Sequence, residues 1–176
     1  MRRFLLPFAL SLCPLHGLHG DILISEFLAD NSSGIEDENG NREDWIELFN
    51  TGTTAVSLEG WWLTDDVDVK KQWRFPAVSI PANGTLLVWA SGKNRIHPAA
   101  PLHTNFGLSK SGEFLGLYKP HPATGQPQLV HSYGASYPVQ APDISYGISI
   151  AQTTSTLVGS GAGQNGRYRV LANNVN

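Results

Sequence analysis

Hydrophobic residues in this chain occur in short runs, and each run is closed by turn residues. The run DWIELFN at 44–50 is followed by Thr-Gly, and the run WWLT at 61–64 lies between a glycine and two aspartates. Runs of about four to eight residues with such boundaries are typical of sandwich strands. Similar runs occur at 22–29, 56–58, 72–75, 85–90, 114–119 and 128–133. These eight strands, without helical periodicity, predict an all-β, two-sheet sandwich.

Several motifs follow one another at characteristic spacing. Besides DWIELFN, they are GWWL at 60–63, WRFP at 73–76, IPANGTLLVWASG at 80–92, HTNF at 103–106 and SGEFLGLY at 111–118. In this order they resemble the lamin tail domain in the form carried by secreted bacterial proteins. The resemblance runs from about residue 22 to 147, and we assign 21–147 to this domain. It implies an immunoglobulin-like β-sandwich and a module that has no active site of its own.

The two ends of the chain differ from the middle. Residues 1–20 contain Arg2-Arg3, an apolar stretch and then Gly17 and Gly20, which predicts a secretory signal peptide and an extracellular or periplasmic location. Cys13, the one cysteine, lies in this segment, so the mature domain is predicted to be free of disulfides. Residues 148–176 are rich in Thr, Ser and Gly, and we interpret this irregular extension as a linker or the start of a truncated second domain.

The net charge of the chain limits the classes of partner that it is expected to bind. Without Arg2 and Arg3 the chain has 10 Lys and Arg against 15 Asp and Glu, a net charge of about −5. This balance argues against nucleic acid as a partner. The apolar stretch near the N-terminus is too short to span a bilayer, so no membrane span is expected. The partners that remain are a protein or a surface glycan.

Strand alternation assigns faces to individual side chains. In the first strand, Ile24 and Glu26 are expected on one face and Phe27 on the other. The resembled pattern Gly-Trp-x-Leu implies that Trp61 faces the core and Trp62 the outer surface. We therefore expect Trp45, Trp61 and Trp89 to be the most buried indoles and Trp62 the most exposed. Trp62 would then either stack on a ligand such as a sugar ring or lie under a neighbouring loop.

The sequence contains no clear motif of a catalytic site. No serine lies in a nucleophile-elbow pattern, and the histidines lack zinc-site spacing, so we expect no enzyme activity. His103 and Asn105 are candidate ligand-binding residues because HTNF belongs to the resembled pattern, although a loop-bracing hydrogen bond explains His103 equally well. Glu26 and Glu47 each lie in the centre of an apolar strand. They would be an acid–base pair if both faced inward, and otherwise carboxylates satisfied by backbone N–H groups.

The loop at 30–43 concentrates oxygen ligands. Asp37, Asn39, Asn41 and Asp44 are spaced in a way that suits a hard cation, so Ca²⁺ is the one cofactor we consider. The glycine comes too early for an EF-hand, and such loops are usually hydrated turns.

These observations predict a secreted, non-catalytic interaction or adhesion module that positions a partner domain or ligand. Two alternatives stay open: a carbohydrate-binding module, and the N-terminal accessory part of a secreted hydrolase.

Overall fold

The computed structural model describes residues 22–148 and the backbone of 169–171. The predicted signal peptide and most of the C-terminal extension lie outside the described residues. The described part is all-β, with strands β1 (Ile22–Leu28), β2 (Asp44–Asn50), β3 (Val56–Ser57), β4 (Trp62–Thr64), β5 (Trp73–Arg74), β6 (Ser79–Ile80), β7 (Thr85–Ala90), β8 (Leu102–His103), β9 (Gly116–Pro120), β10 (Pro127–Ser132), β11 (Tyr146–Ile148) and β12 (Arg169–Leu171).

The strands form an immunoglobulin-like β-sandwich, as the sequence predicted. The large sheet has the order β12-β11-β1-β2-β7-β8, and the small sheet has the order β10-β9-β4-β5. Strands β3 and β6 form a separate two-stranded ribbon. The β12 backbone pairs in parallel with β11, at the edge of the large sheet. Among the described residues there is no helix of the length and apolarity needed to cross a membrane.

The inner faces of both sheets contribute to one core. Ile22, Ile46 and Leu48 from the large sheet pack in the same cluster as Leu63 and Leu117 from the small sheet. All five side chains are inaccessible to solvent. Burial of this kind stabilises the fold by about 1.5 to 3 kcal/mol per large apolar side chain.

A bulge in β1 changes the predicted alternation. The register of β1 against β2 shifts between Ile24 and Glu26, which leaves Ser25 as an extra residue. Such a residue reverses the phase of the residues that follow it. Ile24 and Phe27 therefore both join the core, whereas Glu26 lies on the other face, so the prediction that Ile24 and Glu26 share a face is wrong.

A buried asparagine links the turns at one end of the sandwich. Asn50 is fully buried, and its Nδ2 donates to Thr54 O at 2.8 Å and to Ile80 O and Pro81 O at 3.0 Å each. Asn83 adopts a left-handed φ of 53° in the predicted Asn-Gly turn before β7. These contacts fix where β7 begins beside β2.

The predicted burial of the tryptophans is correct for Trp89, which is 5% exposed, but not for Trp45 and Trp61. Trp61 packs against the main core and is only partly buried, as is Trp45. Trp62 lies on the opposite side of the small sheet, yet it is 8% exposed because Phe114 and Tyr118 pack on it. Trp73 is the most buried indole, at 1% exposed. The expectation that Trp62 would be the most exposed indole is therefore wrong, since Tyr118 of β9 and Phe114 of the segment before β9 cover it, in line with the alternative of a neighbouring loop.

Candidate functional site

The outer face of the large sheet carries a group of partly exposed side chains. In β2, Ile46 and Leu48 point into the core, so alternation places Trp45, Glu47 and Phe49 on the outer face. Neighbouring strands add three residues in register: Leu23 opposite Phe49, Glu26 opposite Glu47, and Leu87 opposite Glu47 on the other side. We call this set the outer patch; its members are Leu23, Glu26, Trp45, Glu47, Phe49 and Leu87, and all of them are partly exposed.

Glu26 and Glu47 form a carboxylate pair in the middle of the outer patch. They are directly opposite each other on antiparallel strands. Ser25 donates its hydroxyl to Glu47 Oε1 at 2.6 Å, and Ser145 donates its hydroxyl to Glu26. Burial raises the pKa of Glu26, the Ser145 hydrogen bond opposes that rise, and the neighbouring Glu47 adds to it. Neither carboxylate faces the core, so the inward-facing acid–base pair considered from the sequence does not form.

The acidic loop at 30–43 is tied to the other end of the same face. Asp37 is buried, and its carboxylate binds the Lys93 ammonium, which also lies 3.0 Å from Glu43 Oε1. Glu38 pairs with the guanidinium of Arg95. These pairs hold the loop, which begins after β1, against the segment that follows β7.

His103 lies beneath this loop and has partners on both ring nitrogens. Its Nδ1 is 2.8 Å from Ser91 Oγ, and its Nε2 is 3.0 Å from Glu38 Oε2. If the Ser91 hydroxyl donates to Nδ1, Nε2 carries the ring proton and donates to Glu38. The ring also stacks on Trp89, with ring centroids 6.3 Å apart.

Ser91, His103 and Glu38 are the residue types of a hydrolytic triad, but each is occupied by structural contacts. The ring of His103 is fully buried, whereas Ser91 is partly exposed. Arg95 shares the Glu38 carboxylate, and Ser91 Oγ accepts the Lys93 backbone N–H at 3.4 Å. Hydrogen bonds from the Glu38 backbone, His103 and Arg95 outweigh burial and lower the pKa of Glu38. The arrangement is a brace between two loops.

The four residues of the predicted calcium site differ in their contacts and in their exposure. Asp37 Oδ1 accepts the backbone N–H groups of Asn39 and Asn41, both at 2.9 Å, while the side chains of these asparagines are exposed. Asp44 lies at the start of β2, where it accepts N–H groups from Asn31 at 3.3 Å and Leu108 at 3.4 Å. The turn hydrogen bonds and Lys93 overcome the effect of burial and lower the pKa of Asp37 to about 2.

A different set of metal-ligand types lies close together. One ligand atom each from Asp37, Glu38 and His103 lies within 4.8 Å of the others. Lys93 and Arg95 already neutralise the two carboxylates, so a cation would have to displace both basic side chains. His103 was singled out from the sequence, but its link to Glu38 was not, because the two residues are 65 positions apart.

The other predicted ligand-binding residues lie away from the outer patch. Asn105 is exposed and donates its side-chain N–H to Gln72 O at 2.9 Å, which braces the segment before β5. Trp62 lies in the small sheet, with the Lys71 ammonium 5.3 Å from its ring centroid. At 8% exposed, Trp62 offers little ring surface for stacking on a ligand. The structure thus does not bring Trp62, His103 and Asn105 together.

Comparison with known proteins agrees with this architecture. The family model for the lamin tail domain matches residues 18–136, which is about two thirds of the chain. A comparison with curated proteins gave no match. The match covers both sheets up to β10, including the outer patch and the loop braced by His103. The chain therefore belongs to the lamin tail domain family.

Proposed function

We propose that this protein is a secreted, non-catalytic interaction module that uses the outer patch to hold or present a partner. The chain belongs to a family of immunoglobulin-like domains, and this membership supports an interaction role in general terms. The finer proposal, that the domain positions a partner through one defined face, rests on the chemistry of that face.

The observation that carries the proposal is the composition of the outer patch. Leu23, Phe49 and Leu87 are apolar side chains that stay partly exposed on the outer sheet face instead of joining the core. Exposed apolar residues that adjoin one another in this way mark binding surfaces more often than isolated ones do. Trp45 adds an aromatic side chain, a type that is enriched at protein interfaces.

The non-catalytic part of the proposal is supported by the state of the candidate catalytic groups. Ser91, His103 and Glu38 brace two loops, and His103 is inaccessible to solvent. Glu26 and Glu47 lie on the outer face of the large sheet, where hydrogen bonds from Ser145 and Ser25 hold them.

Secretion is supported by the sequence of residues 1–20. Expression of the full chain, followed by N-terminal sequencing of the protein recovered outside the cytoplasm, tests it. We expect a new N-terminus after Gly17 or Gly20. Intact protein that stays in the cytoplasm contradicts secretion.

Binding is tested by exposing the immobilised mature domain, residues 21–176, to a displayed random-peptide library and to a panel of glycans. The face variant carries Leu23→Ser and Phe49→Ser. Its matched control carries Val139→Ser, a position that is 70% exposed elsewhere. We expect a ligand that binds the wild type and the control but not the face variant. Binding that the face variant retains, or turnover of a supplied substrate, contradicts the proposed function.

A further inference from the structure

Among the residues that the structure describes, none supplies a cation to the carboxylate pair. Within the part of the chain that the structure describes, the ion pairs involve other carboxylates, and neither Glu26 nor Glu47 contacts a Lys, Arg or His. The hydrogen bonds that they do receive come from the serine hydroxyls of Ser25 and Ser145. This contrasts with Asp37, whose charge is neutralised by Lys93.

This arrangement costs stability in the free domain. Like charges directly opposite each other on neighbouring strands are destabilising. The apolar neighbours Leu23, Phe49 and Leu87 reduce the water available to screen the two carboxylates, and burial together with Glu47 raises the pKa of Glu26. A partner that brings a positive charge to this point relieves the repulsion. The unfavourable free energy of the repulsion in the free domain is therefore removed on binding, and this raises the affinity of the complex.

We propose that the outer patch docks a protein partner that presents an arginine or lysine between apolar side chains. The positive group binds between Glu26 and Glu47, and the apolar side chains pack on Leu23, Phe49 and Leu87. An arginine suits the site best, because its planar guanidinium has five N–H donors and can serve two carboxylates at once. Its aliphatic stem also packs well on apolar surface.

The charge of the patch selects this partner over others. A second copy of the chain in an isologous contact would bring Glu26 and Glu47 against the same pair, and like charges would repel. Nucleic acid is repelled for the same reason. A neutral glycan could stack on Trp45 or Phe49 but would leave the two carboxylates without a counter-charge.

The proposal deepens the proposed function and rests on it. Its test uses peptides selected on the mature domain from a displayed random library, resynthesised in two matched forms. One form keeps each arginine, and the other replaces it by citrulline, which has nearly the same shape without the charge. Binding is measured by calorimetry against the wild type, against Glu26→Gln with Glu47→Gln, and against the control Glu59→Gln, an exposed carboxylate outside the outer patch.

We expect the selected peptides to be enriched in arginine or lysine flanked by apolar residues. Citrulline, or the double Gln variant, should each weaken binding about 10- to 100-fold, the effect of losing a charged hydrogen bond. The control should bind as the wild type does. The double variant removes the like-charge repulsion, so its thermal midpoint should equal or exceed that of the wild type, which separates lost binding from lost folding.

Several results overturn the proposal. One such result is a set of selected peptides that is not enriched in arginine or lysine. Another is that the peptides bind the double variant as tightly as the wild type. Either result shows that Glu26 and Glu47 do not recognise a positive charge on the partner. If such peptides still lose affinity for Leu23→Ser with Phe49→Ser, the interaction function stands and the cationic partner fails. Selective binding of glycans, or self-association weakened by the double variant, likewise replaces this partner with another one.

Discussion

The charge of Asp44 is the clearest stability cost in the domain. Asp44 lies at the start of β2 and accepts long hydrogen bonds from the backbone N–H groups of Asn31 and Leu108. Burial raises its pKa to about 6; the two hydrogen bonds oppose this, and the nearby charges of Asp30 and Glu43 add to it. Removing this charge should therefore stabilise the protein near neutral pH.

The magnitude follows from the two pKa values. The pKa is about 6 in the folded state and 3.8 without the fold, a difference of about 2, which corresponds to about 3 kcal/mol at 1.36 kcal/mol per pKa unit. Because the folded state holds the proton more tightly, ionisation favours unfolding. The contribution of Asp44 to the free energy of unfolding thus falls as pH rises from about 4 to about 6, and the loss is complete above that.

Asp44→Asn keeps the shape of the protonated side chain and cannot ionise. We expect its free energy of unfolding, relative to that of the wild type, to rise by about 2 to 3 kcal/mol between about pH 4 and about pH 8; the amide Nδ2 cannot accept the Leu108 N–H, a loss that is the same at every pH. Urea unfolding followed by tryptophan fluorescence measures both proteins across this range, with equal denaturant slopes as the sign that two-state comparison holds. Glu59→Gln, an exposed carboxyl, is the matched control.

The decisive quantity is the difference between variant and wild type as a function of pH. A change in packing caused by the substitution alters the free energy of unfolding by the same amount at every pH. The loss of the Asp44 ionisation instead makes the difference between the two proteins depend on pH. Parallel curves for Asp44→Asn and the wild type between about pH 4 and about pH 8 would refute the reasoning.

Three further outcomes are expected. Lys93→Met should lower the free energy of unfolding in urea by about 3 to 5 kcal/mol, because it leaves the charge of Asp37 buried and unpaired. Millimolar Ca²⁺ should then raise the thermal midpoint of this variant more than that of the wild type, and equal responses of the two proteins contradict this. Trp62→Ala should cost about 3 kcal/mol in the same urea assay, since Phe114 and Tyr118 cover the indole, and a cost below about 1 kcal/mol would mean that the ring is not packed. The purified domain should not turn over esters, phosphodiesters or glycosides, and activity abolished by Ser91→Ala in a folded protein would reverse that conclusion.

Much of the fold can be predicted from the sequence because its signals are local. Runs such as DWIELFN have strand length and polar ends, and the Asn83-Gly84 pair forms its turn with the backbone conformation that such pairs favour. The serial motifs led to the lamin tail domain family, which the match over residues 18–136 shows. Trp61 and Leu63 also face the core as the motif implied.

The site depended on features that no local pattern contains. The bulge at Ser25 decides which face Glu26 takes, and register alone brings Glu26 opposite Glu47. From the sequence these glutamates could be recognised as unusual in apolar strands, but not as neighbours on an outer face.

The same distinction explains the errors and omissions at single residues. Composition identified the acidic loop and its carboxylates, yet the cation that neutralises Asp37 is Lys93, 56 positions away. Trp62 was correctly placed outside the core, but Phe114 and Tyr118, from the segment near β9, cover it. Sequence by itself determined where strands and turns form, because those depend on residues close in the chain. Tertiary structure alone decided which charges are paired and which surfaces stay open, because pairing and burial depend on side chains that only the folded backbone brings together.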